Sequence, residues 1–263
     1  MRMDILSECP DFIRDFLTYN EIIKGKSSKS VEQYYSDLRT FFRYILLVRG
    51  KAPQGIPFNK IDISGADIEL VRSVAVSDLY GFMVYCKEEL RNNTATRARK
   101  TSTLRLFFKY MSVQTHRLDS NPADLLEAPK IKQSLPKYLS LEDSLELLNS
   151  VDGENERRDY CILTIFLNCG LRLSELCGLN LSDITSDGTM TVTGKGNKER
   201  MVYLNDSCKT AIKRYLEVRP HEGLTAESKN ALFISRNRKR ISPRTVEHIV
   251  TSYIKKAGLD GKG

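Results

Sequence analysis

Between residues 30 and 50, Val31, Tyr34, Tyr35, Leu38, Phe41, Phe42, Ile45 and Leu46 recur at three- and four-residue steps. That spacing puts them on one face of an α-helix, and an apolar face this wide needs other helices to cover it. Ser30 with Gln33 reads as a capping box at its start and Gly50 as its stop. A second helix is expected over 78–90, capped by Ser77, with Leu79, Phe82, Met83 and Cys86 inward, and a third over 94–113. Between the first two, Pro53, Gly55 and Pro57 mark an irregular connection. The third helix alternates core positions (Ala98, Thr101, Leu104, Phe108, Met111) with Arg97, Arg99, Lys100, Arg105 and Lys109, and residues 91–118 contain no acid at all. With no local carboxylate to pair with, these cations read as a surface turned toward an anion.

The pattern changes after residue 120. Residues 121–138 carry three of the chain's eight prolines and no long periodicity, as an interdomain linker requires. Two domains follow, 1–120 and 139–263. In the second, helices are expected over 141–149, 159–168, 208–218 and 242–257, with Gly170 breaking the second. The last has Ser242 as cap, Pro243 at its first position and Gly258 as stop. Residues 189–193 and 200–204 alternate apolar and polar side chains around Gly194-Lys195-Gly196-Asn197, a β-hairpin signal, and residues 231–235 read as a further short strand. The fold class is therefore mainly α: an all-α N-terminal domain, then an α+β domain with a small antiparallel sheet.

The formal net charge of +8 favours an anionic partner. No apolar run approaches the ~20 residues of a membrane span. Residues 1–10 lack the basic-then-apolar order of a secretion signal, so a cytoplasmic chain without a membrane partner is expected. Six cysteines without a CxxC or Cys/His pairing read as reduced, buried thiols, and no metal is expected. His116, His221 and His248 have no ligand-like neighbours and read as structural or exposed. The hairpin glycines do not satisfy GxxxxGK[ST], which excludes a nucleotide-cradling loop.

Two stretches carry chemistry: Gly170-Leu171-Arg172-Leu173-Ser174-Glu175-Leu176 and Thr193-Gly194-Lys195-Gly196-Asn197-Lys198-Glu199-Arg200. Together they resemble the first arginine box and the lysine-bearing hairpin of tyrosine recombinases of the Xer and phage-integrase kind, and lesser likenesses run through nearly the whole chain. The resemblance implies a SAM-like helical core-binding domain followed by a catalytic domain. It also implies site-specific DNA recombination by cutting and rejoining strands through a 3′-phosphotyrosine intermediate, without cofactor or metal. The expected partners are double-stranded DNA and further recombinase subunits, in a homo- or hetero-tetramer.

Each residue type suits that chemistry. Arg172 would meet the charge that builds on the non-bridging phosphate oxygens, because a guanidinium offers a fixed fork of donors and stays protonated. Its place after Gly170 also puts it at a helix N-terminus, which favours anions. By resemblance, Glu175 orients Arg172 from one helical turn away. Taken alone, the same spacing describes an exposed ion pair worth ~0.3–0.5 kcal/mol. Lys195 is the candidate general acid for the departing 5′-oxygen. Arg97, Lys100, Arg105, Lys109, Lys198 and Arg200 are candidate phosphate contacts, with Lys198 and Arg200 equally readable as solvated charges. Arg236, Arg238, Lys239, Arg240 and Arg244 form a further basic cluster that reads either as a second phosphate surface or as a plain loop.

In the family, a His-x-x-Arg box, a further His or Trp and the nucleophilic Tyr follow the segment matching residues 242–257. None of the three histidines here begins such a box. The expectation is a catalytic domain that is C-terminally truncated and inactive for cleavage. A non-enzymatic DNA-binding regulator on the same scaffold is the alternative, and a purely structural basic protein the third reading.

Overall fold

A computed structural model describes residues 9–131, 137–194 and 196–262. The chain divides into two compact units, Met1–Ser134 and Leu135–Gly263. The first is helical: α1 (Asp11–Thr18), α2 (Ser28–Val48), α3 (Ile68–Arg72), α4 (Val76–Glu88) and α5 (Thr94–Lys109), with α1 and α5 each running on into a π-helical turn at Tyr19–Ile23 and Tyr110–Gln114.

Their starts are set by side chains that satisfy orphan N–H groups. Ser27, not Ser30, caps α2, its hydroxyl accepting from the Ser30 N–H at 3.3 Å. Helix α4 begins two residues before the expected Ser77 cap boundary, because the Asp78 carboxylate reaches back to the Ala75 N–H at 2.9 Å. Asn93 caps α5. Inside, Phe12, Phe16, Phe41, Phe42, Phe82, Phe107 and Phe108 are buried and meet mainly edge to face, as in Phe41 against Phe82 at 5.2 Å and Phe16 against Phe107 at 5.5 Å. Such pairs add about 0.5–1.5 kcal/mol each beyond the area they bury. Ala123 and Leu126 join this core, so the stretch read as a linker begins inside the first unit.

The acid-free helix finds its acids elsewhere in the chain. Asp37 of α2, 1% exposed, accepts from Lys100 Nζ at 3.3 Å and Thr103 Oγ1 at 2.9 Å, and also pairs with Arg99. Arg117 pairs with Asp15 at 2.8 Å. Lys100, in sequence a candidate DNA contact, is 6% exposed, its ammonium turned toward buried Asp37.

The second unit holds α6 (Leu141–Asn149), α7 (Glu156–Cys169), α8 (Leu173–Gly178), α9 (Asp206–Leu216) and α10 (Pro243–Lys256), with strands β1 (Thr189–Thr193) and β2 (Glu199–Tyr203). The strands pair antiparallel, Thr189 opposite Tyr203 and Thr193 opposite Glu199. Met190 and Val192 of β1 enter a core with Ile162, Ile165, Leu176, Ile212 and Phe233, while Met201 and Tyr203 of β2 stay exposed.

The expected strand at 231–235 is instead a pair of isolated bridges, Asn180 to Ala231 and Ile234 to Arg240. Several of its polar groups go to side chains: buried Arg219 donates to the carbonyls of Ala231 and Leu232, and the Ile234 N–H donates to Tyr215 Oη at 3.0 Å. All six cysteines are free thiols. Among the described residues no helix is long and apolar enough to cross a membrane.

Removing the Asp37 carboxylate would strand a buried ammonium, so Asp37→Ala is expected to cost ~3–5 kcal/mol of stability. Urea unfolding followed by circular dichroism measures this; an unshifted midpoint would show that Lys100 finds water instead.

Candidate nucleic-acid interface and phosphate site

The geometry around Arg172 starts with a helix stop. Gly170 ends α7 in the left-handed region, φ +57°, where a side chain is disfavoured. The chain then reverses so that Arg172 occupies the N-cap of α8 in extended conformation. Arginine cannot accept a hydrogen bond there. The cap is supplied in the other direction, by Glu175 Oε2 accepting from the Arg172 N–H at 2.9 Å, the half of a capping box that a glutamate at this position provides.

Glu175 does more than cap. Its Oε1 accepts from Arg172 Nη1 at 2.8 Å and from Arg200 Nη1 at 2.9 Å, and its Oε2 also accepts from Arg200 Nη2 at 2.9 Å. Its side chain is 2% exposed, against 74% for Arg172 and 40% for Arg200. The hydrogen bonds from Arg200, then those from the Arg172 N–H and guanidinium, hold the Glu175 carboxyl down to about 2 against the opposing effect of burial. Arg172 is thus tethered through one nitrogen, with its other donors free to face an anion. Two exposed guanidiniums share one buried carboxylate, so the mouth of α8 carries net positive charge.

Lys195 lies outside the described residues. Its neighbour Gly194 does not: a Cβ built there would stand 3.2 Å from Glu175 Oε1. The base of the hairpin therefore passes directly against the carboxylate that holds Arg172. The hairpin closes through the Gly194 N–H donating to the Lys198 carbonyl at 2.7 Å, with Gly196 at φ +77° and Asn197 at φ +57° making the reversal. The Lys198 side chain points to solvent. Arg200, in sequence a candidate phosphate contact or solvated charge, is bidentate on Glu175.

On α5 the expected cationic face is divided. Arg105 and Lys109 are exposed, make no ion pair among the described residues, and line one open groove of about 700 Å³ with Ser102, Ser112, Asp119 and Asp124. Arg97 is half-buried on another side of the helix, one nitrogen donating to Thr94 Oγ1 and its Nε without a partner.

Sequence reasoning gave Arg240 no role of its own beyond the basic cluster. Its guanidinium donates to the carbonyls of Cys177, Gly178 and Leu179 at 2.9–3.1 Å and to Asn180 Oδ1 at 2.6 Å, closing the C-terminal end of α8. It is spent on main chain. Arg236, Arg238, Lys239 and Arg244 of that cluster remain exposed. Among the described residues no group of three His, Cys, Asp or Glu side chains is placed to hold a metal ion.

The site thus holds an arginine at a helix N-cap, a buried glutamate bonded to it, and the base of a glycine-flanked hairpin against that glutamate. The phage integrase family model matches residues 137–262. The tyrosine recombinase XerC of Caldanaerobacter subterraneus subsp. tengcongensis is 46% identical over 253 residues, covering 96% of this chain and 71% of the relative. The chain belongs to the tyrosine recombinases of the phage integrase family.

It is similar within that family to further Xer proteins: XerC of Thermodesulfovibrio yellowstonii at 34% identity over 94% of this chain and 76% of the relative, and XerD of Shewanella oneidensis at 30% over 96% and 78%. A crystal structure of a lambda integrase tetramer bound to a Holliday junction shares the fold, with a TM-score of 0.66 at 16% identity over 96% of this chain and 64% of that one.

Glu175 is held below the ordinary carboxylate value of 4.5, so its contribution to stability is complete above that pH and is lost as the pH falls toward about 2. Urea midpoints measured between pH 5 and pH 2 are expected to fall less steeply for Glu175→Gln than for the parent; parallel curves would refute the arrangement.

Proposed function

We propose that this chain acts in site-specific DNA recombination, with Arg172 holding the scissile phosphate of a duplex. The observation that carries the reading is the tethered, outward guanidinium of Arg172 on a buried Glu175, with the base of the Lys195 hairpin packed against the same carboxylate. A phosphodiester under attack gathers charge on its non-bridging oxygens, and preorganised donors that need no rearrangement stabilise it best. Lys195 is the proposed general acid, delivering a proton to the departing 5′-oxygen. Arg105 and Lys109 are the proposed backbone contacts of residues 1–120, acting as a core-binding domain, with Lys198 a further contact from the hairpin. Arg97 is the weaker member of that set because it is half-buried.

The relatives named XerC and XerD are tyrosine recombinases, and the related lambda integrase forms a tetramer on a Holliday junction. By analogy, this chain's partners are double-stranded DNA and other recombinase subunits, alike or unlike. The attacking tyrosine is proposed to lie outside residues 1–263. Supporting this, no His-x-x-Arg box occurs among these residues to accompany a nucleophile.

Affinity for duplex DNA should fall linearly with the logarithm of salt concentration, and the double variant R105A/K109A should weaken binding across all sequences while reducing that slope by about two units. Fluorescence anisotropy over a salt series measures both; a salt-independent affinity removes the reading. On a nicked suicide substrate carrying a site selected from random duplexes, the 263-residue chain is expected to bind and leave no covalent adduct, scored by denaturing gel. A robust adduct would place the nucleophile within these residues.

A further inference from the structure

We infer that Arg200 is a positioning residue: with Gly194 it keys the hairpin to the carboxylate that orients Arg172, so that strand β2 sets the aim of the phosphate-binding arginine. The inference rests on the proposed function only for what Arg172 does to DNA.

The geometry commits one edge of the Arg200 guanidinium to Glu175. Both of its terminal nitrogens donate to Glu175, each at 2.9 Å. The Nε–H and the outer N–H of each terminal nitrogen remain, so an anion could be met only from the edge turned away from Glu175, beside a carboxylate that offsets the charge. The beneficiary is Glu175. A carboxylate has about four lone-pair sites, and here Arg172 supplies two donors and Arg200 the other two. Without Arg200 half of those sites are empty in a pocket where the side chain is 2% exposed. The carboxylate is then free to turn, and the Arg172 side chain, which bonds to nothing else among the described residues, turns with it.

The second contact comes from the other strand. Thr193 and Glu199 end the ladder facing each other, which puts Gly194 and Arg200 at the same end of the hairpin. Gly194 lies against Oε1 so closely that a methyl group there would have to displace the carboxylate by a few tenths of an ångström, and its backbone is not in the left-handed region, so alanine brings no other strain. One carboxylate thus senses both strands. A displacement of Gly194 or Arg200 would reach Arg172 through that single side chain.

The test uses the 263-residue chain. The Glu175 carboxyl titration and the exchange rate of the Arg172 Nη1–H are followed by NMR in the parent, R200A, R200K and G194A, beside the salt dependence of binding to duplex DNA. In the parent the carboxyl should titrate at about 2. R200A should move it toward 4.5 and speed Arg172 exchange while leaving the DNA salt slope unchanged. R200K should resemble R200A, because an ammonium makes one contact where the guanidinium makes two. G194A should shift the same two signals with the charge intact.

If R200A leaves both signals in place and lowers the salt slope by about one unit, Arg200 is a phosphate contact and the inference is wrong. Should R200A fail to fold, R200K and G194A decide by the same signals. A parent chain that does not bind duplex DNA overturns the recombinase reading, and the NMR comparison still decides the role of Arg200.

Discussion

The candidate site depends on one buried carboxylate receiving four hydrogen bonds. Glu175 fixes the start of α8 through the Arg172 main chain, holds the Arg172 side chain, and receives Arg200 from a strand that lies 25 residues further along. A carboxylate removed from water in this way costs several kcal/mol unless its lone pairs are filled, and here they are. The same saturation makes the arrangement directional. The two arginines repel each other, the carboxylate between them is anchored, and the more exposed of the two guanidiniums is the one displayed to solvent. Arg240 secures the far end of the same short helix, so α8 is fastened to the hairpin at its start and to the 235–240 loop at its end.

Much of this was legible in the sequence. Periodicity placed α2, α4, α5, α6 and α10 to within two or three residues at most ends, because apolar spacing on a packed helix is a strong local signal. The hairpin was legible because period-two alternation flanks Gly196 and Asn197, the two residues whose backbones take positive φ. The caps were less so: serines and aspartates sit at several adjacent positions near the starts of α2 and α4, and only the fold decides which hydroxyl or carboxylate reaches an N–H. The strand expected at 231–235 failed for a reason no local pattern contains. Arg219 and Tyr215, from outside the segment, take the Ala231 and Leu232 carbonyls and the Ile234 N–H, leaving isolated bridges where a continuous ladder was expected.

The cationic stretch shows the same limit more sharply. Seven basic residues and no acid over residues 91–118 read as a surface waiting for an anion. Three of the seven have partners supplied by α1 and α2, with Asp37 lying 62 and 63 residues before Arg99 and Lys100. Charge balance in a folded chain is struck between segments, and a local count registers none of it. What survives as an outward basic face on α5 is the pair Arg105 and Lys109. The pairing of Glu175 with Arg172, by contrast, was legible in their one-turn spacing, which taken alone read as an exposed ion pair; the burial of Glu175 and its second partner Arg200 were not.

Arg219 shows why a net charge of +8 overstates what the molecule offers to a polyanion. It is 3% exposed and faces only carbonyl oxygens, serving as an internal cross-brace between main-chain segments. Counterions leave a nucleic acid only when a cation takes their place at a phosphate. A guanidinium enclosed by peptide dipoles displaces none, so the number of ions released on binding reports the geography of the cations and not their sum.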